Sequence, residues 1–91
     1  MAKWNYTITS GTALRESIDN EDIEQVTDCL IQCYQELLNK LSDEDKKLCQ
    51  YGVEDTIEYL NGSEDMDADE INWYLEEFYA LCDDLRAFVA L

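Results

Sequence analysis

Acidic residues at alternate positions are the first feature of this sequence that could do chemistry. Asp65, Asp67 and Asp69 stand at the first, third and fifth positions of an EF-hand calcium loop, and Glu76 stands at the twelfth. The sixth position requires glycine for a sharp turn, but here it is Glu70. Apolar residues over 70–76 also have helical spacing, which favours a helix over a loop. A degenerate single EF-hand therefore remains only a minor alternative.

Cysteine is the second residue type that could do chemistry. Zinc sites use close pairs at turns, whereas Cys29 and Cys33 lie four residues apart in a helical pattern. The chain begins without the apolar run of a signal peptide and has no stretch of membrane-spanning length, so we expect a cytoplasmic protein with reduced thiols. Cys29, Cys33, Cys49 and Cys82 are therefore predicted to be free, buried residues that act as small apolar side chains.

Other catalytic signatures are missing from the sequence. It has no histidine, the usual general base near neutral pH, and its three glycines are scattered rather than gathered in a phosphate-binding loop. A cysteine nucleophile would need an activating base nearby. The sequence therefore predicts a protein that is not an enzyme, with no catalytic residues, no metal site and no cofactor.

Net charge is the most unusual property of the chain. Six basic residues face 22 acidic ones, which gives a formal net charge of −16. Such a charge repels nucleic acids and anionic membranes and attracts basic protein surfaces. We therefore expect no direct nucleic-acid or membrane partner, but a basic protein partner. The alternative is that the charge serves only solubility, as in salt-adapted proteins.

Apolar periodicity predicts a mainly α fold, a single acidic helical domain over residues 1–91 with three long helices. The first begins after a cap at Asn20 and ends near Leu41; the second begins after Ser42 and stops at Asn61–Gly62. In the second helix Gly52, which would allow close helix contact or mark a kink, lies within the predicted apolar face of Leu48, Cys49, Gly52, Val53, Thr56, Ile57 and Leu60. The third begins at Asp67 and is apolar on more than one side, so we expect it to be central in the bundle or to have a face for a partner. Its predicted inner residues are Ile71, Tyr74, Leu75, Phe78, Cys82, Leu85 and Val89.

The N-terminal segment has a different period. Residues 3–9 alternate, with Trp4, Tyr6 and Ile8 on one side, as in a β-strand, and a short first helix could follow Ser10. The sequence shows no convincing second strand, so this segment must pair with another chain or lie extended over the helices. An unpaired strand and an over-hydrophobic last helix favour a homodimer, whereas the net charge opposes one.

The acids are concentrated in the second half of the chain. Between Leu48 and Leu85 there are twelve acidic residues and no basic residue. Like charges one helical turn apart, as in Glu54 and Glu58, each cost a few tenths of a kcal/mol, which indicates that charge has a task. Acids one helical turn apart are separated by about 6 Å along the helix axis, so a series of them can approximate a row of DNA phosphates. Tyr59, Trp73 and Tyr79 are the aromatic residues expected to anchor the partner.

In this composition the chain resembles the small acidic DNA mimics of phages and mobile elements, which include anti-CRISPR and anti-restriction proteins. The likeness rests on segments such as "SDEDKK", "VEDTIEY", "SEDMDADE" and "LEEFYALCDDL". It implies an inhibitor that evades host defence by occupying the DNA- or RNA-binding groove of a nuclease or regulator. A generic acidic interaction or assembly module is the alternative. The predicted partner-binding residues are Glu54, Asp55, Glu58, Glu64, Asp65, Asp67, Asp69, Glu70, Trp73, Glu76 and Glu77.

Overall fold

The computed structural model describes residues 4–63 and 66–89, which form four helices and two short strands. The predicted mainly α bundle, with three long helices, a short first helix and an extended N-terminal segment, is confirmed. The elements in chain order are β1 (Tyr6–Ile8), α1 (Gly11–Asp19), α2 (Ile23–Lys40), α3 (Asp43–Gly62), α4 (Ala68–Leu85) and β2 (Ala87–Val89).

Helix α2 lies at the centre of the bundle and packs against α1, α3, α4 and β1. The ring of Tyr34 on α2 contacts the ring of Phe78 on α4 edge to face, with the ring centroids 4.8 Å apart. Central placement of the last helix was therefore the wrong expectation. The reason is that α2 buries a wider arc, which comprises Val26, Thr27, Cys29, Leu30, Ile31, Cys33, Tyr34 and Leu37.

The helix starts follow the predicted caps with one exception. The hydroxyl of Ser42 accepts the N–H of Asp45, and the carboxylate of Asp67 accepts the N–H of Glu70 at 2.8 Å. The cap of α2 is Asp22 rather than Asn20. Asn20 instead ends α1, because α1 continues to Asp19 and the chain then reverses at Glu21, whose φ is 57°.

A second strand that the sequence pattern did not reveal pairs with the N-terminal one. Helix α4 ends at Leu85, Arg86 adopts the left-handed conformation with φ 56°, and β2 then runs parallel to β1 with Ile8 opposite Val89. The placement of Val89 on the last helix was therefore wrong. A strand of three residues is too short to show a period, and its partner is distant in the chain. β1 is thus paired within its own chain, which removes one argument for a homodimer.

Glu36 of α2 connects the central helix to the junction between β1 and α1. Its carboxylate accepts hydrogen bonds from the backbone N–H and the hydroxyl of both Thr9 and Ser10, and from the Lys40 ammonium at 2.7 Å. Only 15% of the Glu36 side chain is exposed. Burial opposes ionisation, but the bonds from Lys40, Ser10 and Thr9 outweigh it and hold the pKa of Glu36 well below its usual range.

Glu36→Gln is expected to lower the free energy of unfolding by about 2 kcal/mol at pH 7, because charge-assisted hydrogen bonds are lost. Glu16→Gln, at an exposed position of α1, is the control and should change it by less than about 0.5 kcal/mol.

The loss caused by Glu36→Gln should depend on pH in one direction. Because the pKa of Glu36 is lower in the folded than in the unfolded protein, its ionised carboxylate stabilises the fold fully above the unfolded pKa of about 4.3. This stabilisation is lost as pH falls below the unfolded pKa toward the folded pKa. Urea unfolding at pH 7 and pH 3 measures the difference between the wild type and the variant. A difference as large at pH 3 as at pH 7 would contradict this role of the carboxylate.

Candidate partner-binding surface

Helices α3 and α4 both pack on α2 but not closely on each other in the described part of the chain. The residues that α3 buries are Val53 and Leu60. Side chains link the two helices near the end of α3, where the Tyr59 hydroxyl donates to the Glu70 carboxylate at 3.1 Å and the rings of Tyr59 and Tyr74 lie 5.6 Å apart. Beyond this contact the helices border an open groove.

The groove has a volume of about 290 Å³ and is lined mainly by apolar and aromatic side chains. Tyr34 of α2 contributes to its lining and is buried, whereas Leu48 on one wall and Trp73 on the other are 82% and 54% exposed. Its lining residues are Tyr34, Leu48, Cys49, Gly52, Val53, Thr56, Trp73, Tyr74, Glu77 and Leu81. The groove is therefore an apolar concavity open to solvent.

Neither the thiols nor the tyrosines around the groove are activated. Burial, with a smaller effect of Asp45, raises the pKa of Cys49, and the hydrogen bond to Glu70 raises the pKa of Tyr59. Burial likewise raises the pKa of Cys33 and of Cys82 to about 12. The four cysteines are free as predicted; Cys49 is only half-buried and the other three are buried. At neutral pH the thiols of Cys33, Cys49 and Cys82 are therefore protonated, and a protonated thiol is a poor nucleophile.

Every described acid of the predicted surface is exposed to solvent. Glu54, Asp55 and Glu58 lie on α3, Asp67 caps α4, and the others lie along α4. Glu64 and Asp65 lie outside the described residues. In the part of the chain that the structure describes, the ion pairs are Arg15–Asp19 and Lys40–Glu36, so the acids of α3 and α4 have no neutralising partner there.

Helical phase divides this acidic surface into two regions. Asp55 on α3 and Glu70, Trp73 and Glu77 on α4 lie along the groove, where Trp73 and Glu77 are lining residues. The remaining acids lie outside it: Glu54 and Glu58 on α3 point away from the groove, and Asp69 and Glu76 on α4 lie about 100° round the helix from the groove-lining residues. The predicted residues therefore form a broad acidic surface around a groove rather than a single row.

The aromatic anchors differ partly from those expected. Trp73 and Tyr59 are about half exposed, but Tyr79 packs toward the core, with its ring 6.0 Å from that of Phe78. Leu48 was expected on the buried face of α3 and is instead exposed, and Tyr51, 80% exposed, was missed. The exposure of Leu48 could have been predicted from its helical phase, since Leu48 lies about 140° round the helix from the buried Val53.

Gly52 does not serve close helix packing, which the sequence had suggested. A side chain added at this position would meet no atom within 4 Å. Gly52 instead lines the groove, where the lack of a side chain keeps the space between α3 and α4 open.

The calcium-loop geometry does not form in the described residues. Asp67 is used as a helix cap, Glu70 accepts the Tyr59 hydroxyl, and Glu76 lies within α4. Across residues 4–63 and 66–89 no cluster of three or more cysteine or acidic side chains is arranged to hold a metal ion. Among the same residues, no helix is both long and apolar enough to cross a membrane.

Comparison with known proteins gives no relative. The chain has no significant match to any protein-family model, to any curated protein or to any solved structure.

Salt is expected to stabilise this fold. Raising NaCl from about 0.05 M to about 0.5 M shortens the Debye length to a few ångströms and screens repulsion among the acids of α3 and α4. We expect a gain of about 1 kcal/mol, which corresponds to a rise in Tm of roughly 4–8 °C. Thermal unfolding followed by circular dichroism measures the change in Tm. The double variant Asp69→Asn with Glu76→Gln has fewer repelling charges, so its Tm should rise less with salt. An unchanged or lower Tm in high salt would show that the acids do not strain the fold.

Proposed function

We propose that this protein is a non-enzymatic acidic inhibitor that mimics nucleic acid and occupies the basic DNA- or RNA-binding groove of a target protein. CRISPR effector nucleases and restriction enzymes are the target classes that this proposal favours. The observation that carries it is the acidic surface of α3 and α4, whose described acids are all exposed and form no ion pair. No lysine or arginine occurs between Leu48 and Leu85 to neutralise them.

The spacing of the outward-facing acids supports mimicry. Glu54 and Glu58 are separated by about 6 Å along α3, and Asp69 and Glu76 by about 10.5 Å along α4. Phosphates of one DNA strand advance about 3.4 Å per step along the axis, so these spacings match about two and three steps. The longest dimension of the molecule, 36 Å, corresponds to about one turn of duplex DNA.

An acidic interaction module that does not imitate nucleic acid is the second candidate. The observation that favours it is the apolar groove, because Leu48 and Trp73 would not be needed to imitate phosphates alone. Competition separates the two functions: nucleic acid should displace a mimic from its target but should not displace an ordinary interaction partner.

The charge of the outward-facing acids should be required for target capture. Asp69→Lys with Glu76→Lys is the test, because neither side chain makes a hydrogen bond or ion pair in the described structure. Asp67 and Glu70 are less suitable, since Asp67 caps α4 and Glu70 accepts the Tyr59 hydroxyl. We expect at least a tenfold loss of target affinity, because two negative charges become positive and the net charge of this surface changes by four units.

The control pair is Glu16→Lys with Asp28→Lys, which makes the same charge change at exposed positions of α1 and α2. The tagged protein is used to capture partners from a lysate of its own host, at low and moderate salt, with and without duplex DNA. The proposal predicts a nucleic-acid-binding protein that DNA displaces. Equal capture by both variant pairs, or capture indifferent to DNA, would refute mimicry by this surface.

A further inference from the structure

We infer that the groove between α3 and α4 binds a basic amphipathic helix of the target protein. Apolar side chains of that helix would enter the groove, and its lysines and arginines would pair with the acids along the edges. This inference rests on the proposed function, because it identifies the structural element by which a basic target is recognised.

The apolar part of the inference rests on clustered exposure. Single exposed apolar residues are ordinary on protein surfaces, but Leu48, which is 82% exposed, and Trp73, which is 54% exposed, line the same concavity. Behind them the groove reaches the buried side chains of Tyr34 and Val53. An occupant that covers this surface would gain apolar burial without any rearrangement of the core.

The charged part rests on the edges of the groove. Helical phase places Asp55 at the α3 edge and Glu70, Glu77 and Asp84 along the α4 edge, and all four are exposed. Of the nearest lysines, Lys47 points to another side of α3, and Lys46 lies about one turn before Cys49, at the N-terminal end of the groove. An apolar seam between acidic edges is complementary to a helix whose apolar stripe is flanked by basic residues.

The dimensions of the groove favour a short helical segment over other occupants. Its walls run from Leu48 to Thr56 and from Trp73 to Leu81, each about 12 Å, the length of roughly two helical turns. Its volume of about 290 Å³ lies at the lower limit of small-molecule sites. A second copy of the chain would bring another −16 of charge to the same acidic edges.

A pair of designed peptides tests the inference. The first is a helical peptide of about four turns, with leucine along one stripe (i, i+4, i+7) and lysine at most other positions; the second has alanine in place of each leucine. Trp4→Phe leaves Trp73 as the single tryptophan and makes its fluorescence a reporter of the groove. We expect the leucine peptide to shift Trp73 emission to the blue and to bind at least tenfold more tightly than the alanine peptide.

Two matched substitutions locate the binding. Leu48→Asp and Tyr51→Asp add the same charge at equally exposed positions of α3, but Leu48 lines the groove and Tyr51 does not. We expect Leu48→Asp to lower the affinity for the leucine peptide at least tenfold and Tyr51→Asp to leave that affinity unchanged. Equal affinity of both variants, equal affinity of both peptides, or no binding would overturn it. Its failure is distinguishable from failure of the proposed function, which depends on capture that DNA displaces.

Discussion

The structure depends on the burial of helix α2, which is the shared packing partner of the other helices. Its buried residues contact α1 on one side and α3 and α4 on others, and the contact between Tyr34 and Phe78 connects it to the last helix. Because α3 and α4 each complete their core contacts on α2, they do not need to pack on each other. The open groove and the free outer faces of both helices follow from this arrangement.

The acids of the protein fall into two physical classes. Asp22, Glu36 and Asp67 accept backbone N–H groups and so define where helices begin and how β1 and α1 attach to α2. The acids on the outer faces of α3 and α4 do no comparable structural work, and their mutual repulsion opposes compactness. This contrast is the physical reason for our proposal that the second class of acids recognises a partner.

Much of the helical fold could be predicted from the sequence, because the apolar spacing of α2 and the caps Ser42 and Asp67 are local signals. Strand β2 could not, since three residues carry no period and their pairing with β1 is non-local. The acidic surface could be predicted from composition, but its division by a groove could not. That division depends on how α3 and α4 are oriented on α2, which no local pattern in the sequence specifies.

We propose that the acids of α3 and α4, which lie around an apolar groove, replace phosphates in the basic site of a target protein. The most direct measurement is the affinity for the captured target over a range of salt concentrations, with duplex DNA as competitor. If the acids replace phosphates, affinity should fall steeply as salt rises, and DNA and this protein should exclude each other from the target. Affinity that is independent of salt, or simultaneous binding of DNA and this protein to the target, would contradict it.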